Sequence, residues 1–188
     1  MVRRVFIVHG WGGRPDKGWL KWLAEKLKEK GYKVFSLKMP NPGYPKIKEW
    51  VYFLKKQVGK VDNETYFIGH SIGCQTILRF IETLPKDEKV GGIYLVAGWL
   101  HLNLETDEEK EVAGPWTKTP LDLDNVKNKI KRIFALFSDN DPYVPISDSK
   151  IFKEKLGAKI IIEKGKGHYI EDRTKEIPIL LNEILKVK

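Results

Sequence analysis

Two periods alternate along this chain. Short apolar runs recur at residues 5–8, 33–37, 65–68, 90–97, 133–137 and 159–163. They are rich in Val, Ile, Phe and Tyr and predict six buried strands. Between them, apolar residues recur every three or four positions among lysines and glutamates. Leu20, Leu23, Ala24 and Leu27 form one such stripe, and Ile47, Val51, Leu54 and Val58 a second. Ile77, Leu78, Ile81 and Leu84 make a third. Ile151, Phe152 and Leu156 make a fourth, and Ile177, Leu180, Leu181, Ile184 and Leu185 a fifth. Each stripe predicts a helix with one buried face. Gly31, Gly59 and Gly157 follow three of them as stop signals, and Pro178 belongs in the first turn of the last. The alternation predicts an α/β fold: a parallel sheet with helices on both faces and right-handed crossovers.

Residues 99–128 break the pattern. They lack a clear period and collect acids, prolines and turn residues, with Trp99 and Trp116 among them. A connection this long after a strand end predicts a lid or binding loop.

The third strand leads into Gly69-His70-Ser71-Ile72-Gly73. This is G-x-S-x-G, a turn that lifts a serine hydroxyl above a sheet edge. Five residues alone are also compatible with a plain glycine-rich strand–helix turn. The first strand ends in His9-Gly10-Trp11-Gly12-Gly13. A dinucleotide fingerprint is excluded there, because Pro15 stands where the third glycine belongs. An oxyanion loop fits better, with the backbone N–H of Trp11 as one donor and that of Ile72 as the other.

Three residues follow three strand ends in the order Ser71, Asp141, His168. Carboxyl ends of parallel strands are where open α/β sheets place their sites, and this is the chain order of α/β-hydrolases. A serine needs a base, and a histidine near neutral pH supplies one. An acid then fixes the imidazole tautomer. Among the four histidines, His168 suits the base by position. His101 starts the lid and reads as a surface residue. His9 and His70 flank the serine and, with Trp99, Trp116 and Tyr143, are expected to line the substrate pocket. Asp139 competes with Asp141, and periodicity does not separate them.

Composition narrows the rest. A chain of 188 residues predicts one domain, 1–188, with 99–128 as its insert. Lys and Arg exceed Asp and Glu by 34 to 25, a net charge of +9. The lysines alternate with glutamates on helix faces, and no reading motif accompanies them, so nucleic acid is not expected as a partner. Such Lys- and Glu-rich surfaces suit a thermostable protein. No run reaches the length of a membrane span. The single cysteine, Cys74, reads as a small buried residue and fits a reducing cytoplasm.

With G-H-S-I-G at 69–73, D-P-Y-V-P at 141–145 and G-H at 167–168, the chain resembles the small serine hydrolases related to retinoblastoma-binding protein nine. That family is a compact branch of the α/β-hydrolase superfamily. The resemblance covers nearly the whole chain, and Gly114-Pro115-Trp116 through Pro120 resembles the family's lid. It implies a six-stranded parallel sheet ordered 2-1-3-4-5-6 and selects Asp141, the aspartate before the proline, as the acid. It also implies serine hydrolysis, but it supplies no natural substrate. The candidate residues themselves point to a hydrolase of small acyl substrates that needs no metal or cofactor, with esters first and amides or thioesters as alternatives. The chain has no L-x-C-x-E motif, so a retinoblastoma-type pocket is not an expected partner. The competing reading is a noncatalytic interaction module on the same fold. The complete Ser-Asp-His set argues against it.

Overall fold

Val5 and Ile7 face one side of the first strand, β1 (Arg4–Val8), and Phe6 and Val8 face the other. That period-two alternation splits the interior into two apolar layers on either side of one sheet. The computed structural model describes residues 2–186. Its strands are β1, β2 (Lys33–Leu37), β3 (Thr65–His70), β4 (Gly92–Val96), β5 (Ile133–Ser138) and β6 (Lys159–Glu163). All pair in parallel, in the order β2-β1-β3-β4-β5-β6. This is the α/β-hydrolase order expected from the family resemblance.

One layer packs under α1 (Gly18–Glu29), whose buried face carries Trp19, Leu20, Leu23, Ala24 and Leu27. Ile177, Leu180 and Ile184 join it from the chain's last helical segment. The other layer lies under α2 (Ile47–Val58) and α3 (Ile72–Glu82), with Trp50, Leu54, Ile77, Phe80 and Ile81. The central strands β3, β4 and β5 are buried along their full length, while edge strand β6 is half exposed. A sheet covered on both faces needs such continuous apolar strands at its centre. The fourth strand is shorter than expected: Val90 makes only an isolated bridge to Ile130 before β4 begins.

Residues 99–128 are not an irregular loop. They contain α4 (Asp107–Lys118) and the short α5 (Leu123–Lys127). Thr106 and Glu109 form a reciprocal capping box at the start of α4. Local capping thus stabilises a helix whose apolar period is interrupted by Gly114 and Pro115. The segment is tied to the body by α3. The buried Arg79 guanidinium donates to the carbonyls of Trp116 and Thr119, both at 2.8 Å, and of Pro120 at 3.1 Å. Gln75 donates to the Trp99 carbonyl at 2.6 Å. The last elements are α6 (Asp148–Leu156) and α7 (Pro178–Leu185), with Pro178 in its first turn. Cys74 is fully buried in α3, where its thiol donates to the Val96 carbonyl and burial raises its pKa far above the ordinary range. No helix among the described residues is long and apolar enough to cross a membrane.

Candidate active site

Ser71 stands between β3 and α3 with φ of 51° and ψ of −118°. Few L-residues adopt that backbone conformation, at a cost of about 1–3 kcal/mol. The neighbours make it tenable. A Cβ on Gly69 would come within 2.8 Å of the Cys74 nitrogen, and one on Gly73 would collide with the Val8 carbonyl. Only glycine permits so close an approach of strand and helix. Ser71 occupies the N-cap position, yet its hydroxyl makes no cap bond. It donates instead to Nε2 of His168 at 2.8 Å.

On the other side of that ring, Nδ1 of His168 lies 2.8 Å from Oδ2 of Asp141. A carboxylate only accepts, so Nδ1 carries the hydrogen and Nε2 is the lone pair that faces the serine. The Asp141 side chain is 2% exposed and that of His168 is 10% exposed. Burial lowers the His168 pKa, and the nearby His70 lowers it further. The bond to Asp141 works in the opposite direction but does not prevail.

The loops that carry these groups are pinned to each other. Oδ1 of Asp139 accepts from Gly165, Oγ of Ser138 from Lys166, and Oδ1 of Asn140 from Gly167. Three consecutive side chains at the end of β5 thereby hold the backbone that leads to His168. Asp139 belongs to this latch and does not touch the imidazole. Asp141 alone of the two aspartates does.

Near Ser71, the N–H of Gly12 is taken by the Pro42 carbonyl and that of Gly13 by the Gly10 carbonyl. The N–H groups of Trp11 and Ile72 have no acceptor among the described residues. Ile72 also opens α3, so the positive end of the helix dipole points the same way.

A cleft of about 440 Å³ opens over Ser71. His70, Trp99 and Tyr143 line it, as does His168. So do Leu102, Leu104 and Ala113, which bring residues 99–128 onto its rim. The Trp99 indole N–H is buried with no acceptor among the described residues. Two expected pocket residues lie elsewhere. His9 is fully buried beneath the site: its Nε2 accepts from Met39 N–H, and its Nδ1–H donates to the Gly10 carbonyl. It packs edge-on to Trp50, and burial lowers its pKa. Trp116 is in the core against Trp50, with its indole N–H on the Pro45 carbonyl. Neither side chain lines the cleft, and the polar atoms of both are taken up by backbone partners. His101 is exposed, but it is not free. It bonds the fully buried Asp148, which also accepts from the Leu100 and His101 amides.

Glu171 is a site residue that strand-end reasoning does not reveal. It lines the cleft, is 9% exposed, and its Oε1 lies 3.1 Å from Nδ1 of His70. Nε2 of His70 lies 2.8 Å from the His168 carbonyl. Its one local signal is its position three residues after the predicted base. Among the described residues, no group of three His, Cys, Asp or Glu side chains is arranged to hold a metal ion.

Chemically, the arrangement offers an aligned hydroxyl, a neutral base and two free amides, all at the carboxyl edge of one sheet. Comparisons with known proteins place the chain as a whole. YdeN of Bacillus subtilis (strain 168) is 31% identical over 172 residues, covering 92% of this chain and 88% of YdeN. Its crystal structure superposes with a TM-score of 0.88 over 98% of this chain and 97% of that one. The serine hydrolase RBBP9 of Rattus norvegicus is 25% identical over 169 residues, covering 88% of this chain and 87% of RBBP9. Est1E of Butyrivibrio proteoclasticus, in a structure with ferulic acid bound, shares the fold at a TM-score of 0.75 and 16% identity, over 97% of this chain and 88% of its own. The model of the serine hydrolase family matches residues 5–176, and this chain belongs to that family.

Proposed function

We propose that the protein hydrolyses small carboxylic esters through an acyl-enzyme on Ser71. The observation that carries this reading is the continuous chain Ser71 Oγ to His168 Nε2 and His168 Nδ1 to Asp141 Oδ2, each link 2.8 Å. His168 takes the serine proton as Oγ attacks the carbonyl carbon, then returns it to the leaving alcohol. Asp141 holds the productive tautomer and stabilises the imidazolium that forms. The N–H groups of Trp11 and Ile72 receive the oxyanion. In the second half-reaction His168 activates water, and the acid leaves. Every step uses this chain's own groups and calls on no metal or cofactor.

Residues 99–128 act as a lid that limits the acyl group. The modest cleft and its apolar walls Trp99, Leu102 and Leu104 support this reading. Thioesters and amides have the same carbonyl chemistry and remain within reach of the site. A reducing cytoplasm suits the one cysteine.

The test is labelling by a fluorophosphonate probe together with turnover of a panel of p-nitrophenyl esters. The wild type should be labelled and active, and Ser71→Ala should lose both. Labelling that persists in Ser71→Ala would remove the serine from the mechanism.

A further inference from the structure

The two ring nitrogens of His70 face different acceptors. Nε2 meets the backbone carbonyl of His168 at 2.8 Å, and Nδ1 meets the Glu171 carboxylate at 3.1 Å. A carbonyl cannot donate, and an ionised carboxylate cannot either. A neutral imidazole has one N–H and satisfies only one of them. His9 shows the contrast from the end of β1. It accepts at Nε2 and donates at Nδ1, so one hydrogen serves both its contacts.

We propose that His70 is a buried imidazolium, paired with the Glu171 carboxylate, whose second N–H holds the backbone of His168 and so positions the general base. The proposal rests on the assignment of His168 as that base.

The positioning is needed because the backbone beyond His168 is strained. Tyr169 has φ of 52°, a conformation that non-glycine residues rarely adopt. Trp19 Nε1–H holds the Tyr169 carbonyl at 2.8 Å, and the Tyr169 hydroxyl donates to the Phe137 carbonyl at 3.0 Å. The bond from His70 fixes the same turn one residue earlier, from β3. A charged donor makes it roughly twice as strong as a neutral one.

The charge has a second effect. The His70 and His168 rings lie 5.2 Å apart between centroids. A positive His70 disfavours a second positive ring beside it, so His168 stays available as a base at lower pH. Glu171 faces His70 directly, and His168, Asp141 and His9 are the other titratable groups around it. Burial opposes the charge on His70, but the bond to Glu171, the His168 carbonyl and the field of Asp141 outweigh it and raise the His70 pKa. For Glu171, burial is likewise overcome by His70, and its pKa is lowered. An ion pair so enclosed is costly to assemble and costly to break on one side only.

The experiment has one arm free of activity. Nitrogen-15 spectra of the imidazoles in the intact wild type should show both His70 nitrogens protonated at neutral pH, and one protonated nitrogen each on His9 and His168. A singly protonated His70 at neutral pH overturns the proposal. The second arm compares Glu171→Gln with Glu171→Ala on a neutral p-nitrophenyl ester. Gln keeps a hydrogen-bonding partner for Nδ1 but removes the carboxylate that holds the extra proton. Losing the nearer positive charge should move the acid limb of kcat/KM upward. Below the limb, Glu171→Gln should therefore lose several-fold more activity than on the plateau. Ala should lower the plateau as well. If both variants lower the plateau alike and leave the limb in place, Glu171 is only a structural strut and the proposal fails. If the wild type is inactive on every ester and refuses the probe, the base assignment fails instead, while the nitrogen spectra still decide the charge on His70.

Discussion

Asp141 divides its carboxylate between His168 and its own turn. Oδ2 takes the His168 Nδ1 hydrogen at 2.8 Å, while Oδ1 accepts from the amides of Tyr143 at 2.9 Å and Val144 at 3.1 Å. Pro142 sets the turn between these groups. The carboxylate is thus aimed before any substrate arrives. Asp141→Asn should keep the turn, because an amide oxygen can still accept there. Its NH₂ would face Nδ1 and favour the wrong tautomer. A loss on the order of 10⁴ in kcat is expected if the site behaves as serine-protease triads do. Asp139→Asn should cost far less, since an Asn oxygen can still bond the Gly165 amide. Steady-state kinetics on both variants, after circular dichroism shows them folded, makes the comparison. A larger loss for Asp139→Asn would reverse the assignment.

Activity should persist to lower pH than an ordinary histidine base allows. Burial and His70 hold the His168 pKa below 6.5. The base works only when neutral, so kcat/KM falls as pH drops through that lowered value and stays level above it. A pH profile of kcat/KM with a short ester reads this directly. A limb centred above about 6.5, the unperturbed value, contradicts the environment described for His168.

Chain length should matter on the acyl side. The cleft over Ser71 holds about 440 Å³ and is lined by Trp99, Leu102 and Leu104. Short acyl esters should be turned over faster than long ones. A series of p-nitrophenyl esters tests this, and a rate that climbs steadily beyond about eight carbons would show that the lid does not limit size.

Arg79→Ala should cost stability and loosen the lid together. The guanidinium serves three carbonyls of residues 116–120. Removing it strands the buried Trp116 carbonyl and leaves the other two to find water. A loss of about 2–3 kcal/mol in urea unfolding is expected, at about 1–3 kcal/mol for a stranded buried group. The same variant should accept longer acyl chains. Unchanged stability would mean that water replaces the guanidinium without penalty.

Ser71 and His168 are legible in the chain because each stands where a strand must stop, and glycines at 69, 73 and 167 mark those points. The end of the fifth strand offers two aspartates, and the choice of Asp141 over Asp139 rests on the family resemblance. Strand order rests on it too, since periodicity does not say which strands are neighbours. Glu171 and Arg79 were invisible for another reason. A charged residue announces its exposure by default, and only the partner reveals that it is buried. The partners are the His70 ring for one and the carbonyls of residues 116–120 for the other. His9 and Trp116 misled in the opposite direction: each has the chemistry of a site residue and spends it on backbone groups below the cleft. Helix α4 had a legible start in Thr106 and Glu109, three residues apart, but its interrupted apolar stripe hid it.

The sole cysteine sits in the first turn of the helix that Ser71 begins, sealed from solvent. Its raised pKa leaves almost no thiolate, so thiol reagents find nothing to attack while the core is closed. The natural chain therefore carries its own clock. The rate at which Cys74 is modified in the native state reports how often the structure around the nucleophile opens. A second cysteine placed on the exposed rim, at Glu108 for example, would react at once and alone, giving a site for a fluorophore that watches the lid without disturbing the reacting groups.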